Sequence, residues 1–140
     1  MPHVKRLSVV GCGSAARTLT RLWHDAGIFS IGSILNSSPG SAREAVAFIG
    51  AGTAATTTEQ LPASDLYLIG CPDDSIRDCC ALLADSSHPL DGATVFHLSG
   101  ALASSELERA RSQGASVASV HPVMSFAEPS KAIGNFAGTW

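Results

Sequence analysis

A short apolar run, Leu7-Ser8-Val9-Val10, passes directly into Gly11-Cys12-Gly13-Ser14-Ala15-Ala16. No other feature restricts the fold as tightly. Gly-x-Gly-x-x-Ala after a strand lets the backbone turn sharply and open a helix packed hard against that strand. Gly11 permits the turn, Gly13 keeps a Cβ out of the way of an approaching group, and Ala16 lets helix and strand close up. The N–H groups of the first helical turn have no partner within the helix, so they favour an anion such as a pyrophosphate. A purely structural turn is the competing reading. The strand before and the helix after favour nucleotide binding.

The rest of the chain repeats the same alternation. Apolar residues at Ala15, Ala16, Leu19, Leu22, Trp23 and Ala26 fit one helical face over 14–26, which Gly27 ends. Strands are expected at Phe29–Leu35, Thr53–Thr57, Asp65–Cys71, Ala93–Leu98 and Ser116–Val120. Helices are expected from a capping box at Ser41–Glu44 to Ile49, over Ser75–Ala84, and from a second capping box at Ser105–Glu108 to about Gly114. Strands alternating with helices imply an α/β fold, a doubly wound and mainly parallel sheet with helices on both faces in strand order 3-2-1-4-5-6. Residues 1–120 form the dinucleotide-binding domain in this reading. Residues 121–140, without a helical or strand period, are a linker or the start of a helical domain.

The end of the second strand bears on which nucleotide binds. An NAD site wants an acid there to hold the ribose 2′-hydroxyl. Here the residues are Leu35-Asn36-Ser37-Ser38, and Arg43 follows within reach of a 2′-phosphate. This favours NADP(H), with NAD(H) left open; the alternative is a polar loop with no ligand. Other strand ends carry Cys71-Pro72-Asp73-Asp74, Leu98-Ser99-Gly100 and Val120-His121-Pro122. The aspartates read first as helix caps. His121 is the candidate proton donor for a hydride-transfer reaction, with a role in fixing its own loop as the alternative. His97 reads as a strand side chain packed at the domain edge.

Composition excludes several classes. Hydrophobic residues make up 45% and charged residues 15%, so the chain is not disordered. With 21 Ala and 19 Ser, the interior must rely on small side chains at close spacing. A net charge of −3 and no basic face argue against nucleic acid, and no apolar run approaches the ~20 residues of a membrane helix. Cys12, Cys71, Cys79 and Cys80 show no zinc-ligand spacing and read as reduced thiols of a cytoplasmic protein.

Four motifs occur here in order: Gly-Cys-Gly-Ser-Ala-Ala, Cys-Pro-Asp-Asp-Ser-Ile, His-Leu-Ser-Gly-Ala-Leu and His-Pro-Val-Met-Ser-Phe. Together they resemble the Rossmann-like oxidoreductases described as similar to F420-dependent NADP oxidoreductase. More distantly, the pattern resembles pyrroline-5-carboxylate reductase and the 3-hydroxyacid dehydrogenases. The resemblance covers residues ~5–140. It implies that Gly11, Cys12, Gly13, Ser14 and Ala15 hold the pyrophosphate and that Asn36, Ser37 and Ser38 sit at the adenosine ribose. Cys71, Pro72 and Ser99 would line the nicotinamide side, with His121 at the pocket floor. Family members often carry Arg near the position of Ser37, a departure that weakens the case for NADP. The resemblance further implies a C-terminal helical domain that supports a homodimer and closes the pocket over a small-molecule substrate. That domain has no counterpart in these residues, so the chain is expected to be the cofactor-binding half of an oxidoreductase. F420 is reported by no motif and stays open. A non-catalytic nucleotide-binding or redox-sensing module is the alternative function.

Overall fold

The computed structural model describes residues 4–86, 90–99 and 103–120. Six parallel strands form one sheet: β1 (Arg6–Val10), β2 (Ser30–Leu35), β3 (Thr53–Ala55), β4 (Leu66–Ile69), β5 (Thr94–His97) and β6 (Ser116–Ser119). Their order is β3-β2-β1-β4-β5-β6, as the alternation of elements implied. The helices are α1 (Ser14–Asp25), α2 (Pro39–Ile49), α3 (Ile76–Ala84) and the short α4 (Glu108–Arg111).

The central strands are apolar on both faces because both faces are covered. Leu7, Val9, Leu68 and Phe96 pack on one side with Ala16 of α1 and Ala45 and Ile49 of α2. Val10, Tyr67, Ile69 and Val95 pack on the other with Ile76, Cys80 and Leu83 of α3 and Ala110 of α4. Trp23 of α1 closes the first face, meeting Phe29 and Phe96 edge-on at 5.5 and 6.0 Å between ring centroids.

Two helix starts differ from expectation. Ser38, not Ser41, caps α2: its Oγ accepts from the Ser41 amide at 3.1 Å. Pro39 explains the shift, since its fixed φ suits the first helical position and it has no N–H to lose. At the second expected capping box the chain forms a 3-10 turn over Ser104–Leu107 instead, with α4 only four residues long. Glu108, the acid of that box, pairs forward with Arg111 at 3.8 Å rather than back to the helix start. Glu106 is drawn to Arg77 of α3 by two 3.0 Å hydrogen bonds.

The pairing of β1 with β2 shifts by one residue: Leu7 faces Ile31, but Val9 faces Ile34. The bulge needs glycine, because a Cβ on Gly32 would lie 2.6 Å from Ser8 Oγ. That buried hydroxyl accepts from the Ser33 amide at 3.2 Å and meets Ser64 Oγ at 2.8 Å. Ser8→Ala removes the partner of a buried N–H. It should lower unfolding free energy by about 1–3 kcal/mol, read from urea denaturation midpoints; an unchanged midpoint would show that the bulge does not need the hydroxyl.

Candidate functional site

The strand order reverses between β1 and β4, and the sheet's carboxyl edge opens there into a crevice, where ligands of open α/β sheets bind. Gly11 adopts φ +78° and donates to the Leu35 carbonyl at 2.8 Å, tying the turn to the end of β2. A Cβ on Gly11 would stand 2.6 Å from Cys71 Cβ and 2.8 Å from its backbone nitrogen. The turn is therefore pressed against the segment that leaves β4. Gly70, which the sequence reading passed over, is the other half of this contact. A Cβ there would lie 2.5 Å from both Ala16 Cβ and the Gly11 carbonyl oxygen. The Gly13 amide reaches the Gly70 carbonyl at 3.4 Å.

Helix α1 starts at this turn without a side-chain cap and without an acid in its first turn. Its first intrahelical bond runs from the Arg17 amide to the Gly13 carbonyl at 2.9 Å. The amides of Ser14, Ala15 and Ala16 thus have no partner inside the helix. A Cβ on Gly13 would touch only the Gly70 carbonyl oxygen, at 3.3 Å. This is the cradle a diphosphate requires: donors, the positive end of a helix and little bulk.

A cavity of about 560 Å³ lies beside the turn. Of the expected site residues it is lined by Gly11, Cys12, Gly13, Asn36, Ser37, Cys71 and Pro72. Ala15 and Ser99 line a second, smaller cavity of about 130 Å³, which Cys71 joins to the first. Ser14 is the first residue of α1, and Ser38 is occupied in capping α2, where it also donates to Ser41 Oγ at 3.0 Å. Arg43 stands exposed on α2 and lines neither cavity. His121 lies outside the described residues.

Asn36 has a role that its position in a polar loop did not disclose. Its Oδ1 accepts from the Cys12 amide at 2.9 Å, and its Nδ2 donates to the Cys12 carbonyl at 3.4 Å. The side chain reads both backbone groups of the middle residue in the turn and braces it. Asp73 and Asp74 form a 3-10 turn with Ser75, and no side-chain cap bond is made there or at the start of α3, so the capping expectation fails. Pro72 holds the N-cap position of that turn with an extended ψ, leaving the aspartates inside it and exposed. His97 is fully buried in β5: Nδ1 accepts from the Ser99 amide at 3.0 Å and Nε2 faces the Ala103 carbonyl at 2.9 Å. With Nδ1 accepting, Nε2 is left to donate, and the ring ties Ser99 and Ala103 to β5. Sequence reasoning also missed Thr56, Thr57 and Thr58, which line the larger cavity just past β3. The strand expected to reach Thr57 stops at Ala55, which frees these residues for the crevice wall.

No Asp, Glu, Lys or Arg is among the described residues lining the larger cavity. Its titratable groups there are thiols. Burial pushes Cys12 up from 9.0 to about 12, against a smaller opposing pull from Arg17. Among the described residues no cluster of acids, histidines and cysteines could hold a metal, and no helix is long and apolar enough to cross a membrane.

The fold and this turn define a Rossmann-like domain, and several solved structures that share the fold carry oxidoreductase names. No protein-family model and no curated protein sequence matches the chain. A Bacteroides fragilis protein described as a "putative NADP oxidoreductase" superimposes with TM-score 0.75 at 17% identity, over 89% of this chain and 46% of that one. Prephenate dehydrogenase from A. aeolicus, in complex with hydroxyphenyl propionate and NAD+, gives 0.67 at 19% identity, over 87% and 43%. An imine reductase from Pseudomonas sp. gives 0.56 at 27% identity, over 79% and 37%. The chain thus spans under half the length of each of these proteins.

Two outcomes follow from the site's geometry. Gly70→Val should force α1 off β4 and cost several kcal/mol, on the order of an overpacked core, with early loss of the near-UV tryptophan signal; a variant as stable as the parent would contradict the close contact. Cys12 stays protonated in the folded chain where the unfolded thiol ionises. Stability should therefore fall as pH rises from about 9 toward about 12. Cys12→Ala should flatten that slope in denaturation curves taken across the range.

Proposed function

We propose that this chain is the cofactor-binding half of a nicotinamide-dependent oxidoreductase. The observation that carries the reading is the uncapped start of α1, held by a glycine turn at the switch point of the sheet. The oxidoreductase names of the structures that share the fold support it, including one bound to NAD+.

When bound, the nicotinamide supplies or accepts a hydride; the protein supplies position and electrostatics. Gly11, Cys12 and Gly13 form the wall along which the diphosphate lies, their own amides bonded to Leu35, Asn36 and Gly70, and the first-turn amides of Ser14 and Ala15 donate to it. Asn36 keeps that turn in its binding shape. Ser37, exposed at the crevice, faces the adenosine ribose, and the Thr56–Thr58 wall with Leu82 encloses the adenine side. Cys71, Pro72 and Ser99 border the path toward the nicotinamide, with Ser99 placed by His97. Among the described residues, Asp73 and cysteines are the titratable groups lining either cavity. The proton that accompanies hydride transfer to a carbonyl or imine therefore falls to His121, beyond β6, in this reading. Closure over a small-molecule substrate, and dimer formation, belong to a further helical domain.

The cofactor reading favours NADP(H) because no carboxylate stands at Asn36-Ser37-Ser38 to repel a 2′-phosphate. Asn36 and Ser38 are already engaged, so recognition rests on Ser37 and on Arg43 swinging in from α2. Thermal unfolding with each nucleotide tests both points. NADPH at ~100 times its dissociation constant should stabilise the chain by about 2.7 kcal/mol, and NADH by less. Equal shifts would overturn the preference for NADP(H), and no shift with either would overturn nucleotide binding.

A further inference from the structure

The smaller cavity is lined by Gly70 and Cys71 at the end of β4, by Ala15 of α1, and by Leu98 and Ser99 just past β5. Among the described residues one charged side chain borders it, Asp73, and no Lys, Arg or His lines either cavity. Asp73 opens the 3-10 turn after Pro72, makes no cap bond and stands exposed. No hydrogen bond or ion pair to a described residue engages its carboxylate. Two cations on the helices that start beside this point are engaged elsewhere. Arg77 of α3 holds Glu106 through two bonds of 3.0 Å, and Arg17 of α1 lies over the Phe48 ring of α2, 5.9 Å from its centroid. The negative charge at this end of the crevice is therefore uncompensated.

We propose that Asp73 sets the redox preference of the site: its carboxylate favours the oxidised, positively charged nicotinamide over the neutral dihydronicotinamide. This rests on the nucleotide reading, which takes the ring toward the smaller cavity. The two forms of the cofactor carry the same phosphates and the same adenosine, and they differ by one positive charge on the ring. The amides at the start of α1 and the walls of the larger cavity meet the same groups in both forms. The electrostatic difference is read at the ring end, where Asp73 is the charged group. A carboxylate facing no cation attracts the charged ring and gains little from the neutral one. Its exposure keeps the effect modest, because water and salt screen it. A site that holds the oxidised form more tightly also makes the bound reduced form the stronger hydride donor. For a two-electron couple, a tenfold preference lowers the potential by about 30 mV. The domain is thus biased toward giving hydride, and Asp73 acts as a specificity residue that moves no proton.

Isothermal titration of the whole chain with NADP+ and with NADPH reads the ratio of the two dissociation constants. Asp73→Asn keeps the shape of the side chain and removes its charge. It should weaken NADP+ by about two- to fivefold, the range of an exposed ion pair, and leave NADPH unchanged. Asp74→Asn removes the same charge one residue along, at a position that lines neither cavity, and should leave the ratio at the parent value. An unmoved ratio in Asp73→Asn, or an equal change of ratio in Asp74→Asn, would overturn the proposal and leave nucleotide binding standing. A parent chain that binds neither form would overturn the nucleotide reading and this proposal with it.

Discussion

The whole arrangement depends on how closely the turn after β1 approaches the end of β4. Gly11, Gly70 and Ala16 meet where a single added carbon on either glycine would come within 2.6 Å of a neighbour. Close packing leaves no room for such an atom, so small residues here are a condition of the fold. The same contact has a chemical consequence. It places the uncapped start of α1 at the sheet's switch point, beside a crevice rather than under a side chain. Fold and candidate site are two results of one steric constraint.

What surrounds that point is mostly backbone and small polar groups. The larger cavity has no carboxylate or basic side chain among its described lining, so an anion held there is held by amides and the helix end. Asn36 stiffens the turn by holding both backbone groups of Cys12, and His97 holds the Ser99 amide and the Ala103 carbonyl beside β5. Preorganised donors spare a ligand the cost of ordering them. The described lining of the crevice thus offers fixed backbone donors and small polar groups that can position a bound group.

The order of the strands and the residues of the glycine turn were legible from the sequence because they follow from spacing. Apolar runs separated by helical periods allow few topologies, and Gly-x-Gly-x-x-Ala has few uses at a strand end. The residues that escaped are those whose roles are set by partners distant along the chain. Gly70 sits at the end of a strand pattern, and nothing local shows that Ala16 lies against it. A glycine ending a buried strand beside Pro72 is the one signal that could have flagged it. Asn36 was legible as a polar residue near the ribose but not as a brace for Cys12, 24 residues away. Ser38 displaced Ser41 as the cap because Pro39 follows it, a local cue that outranks the Ser–Glu spacing. The aspartates after Pro72 and the acid of the last capping box failed for a related reason: the chain there tightens into 3-10 turns, whose geometry does not present the amides a cap requires.

The central claim is that the first-turn amides of α1 receive a diphosphate. Nitrogen-15 amide spectra of the chain titrated with ADP-ribose test it directly, since that probe carries the diphosphate without the nicotinamide. The account predicts that the largest shifts fall on Cys12 through Ala16, with smaller ones at Ser37 and Thr56–Thr58. Saturating shifts confined to another face of the sheet, with those amides unmoved, would contradict it.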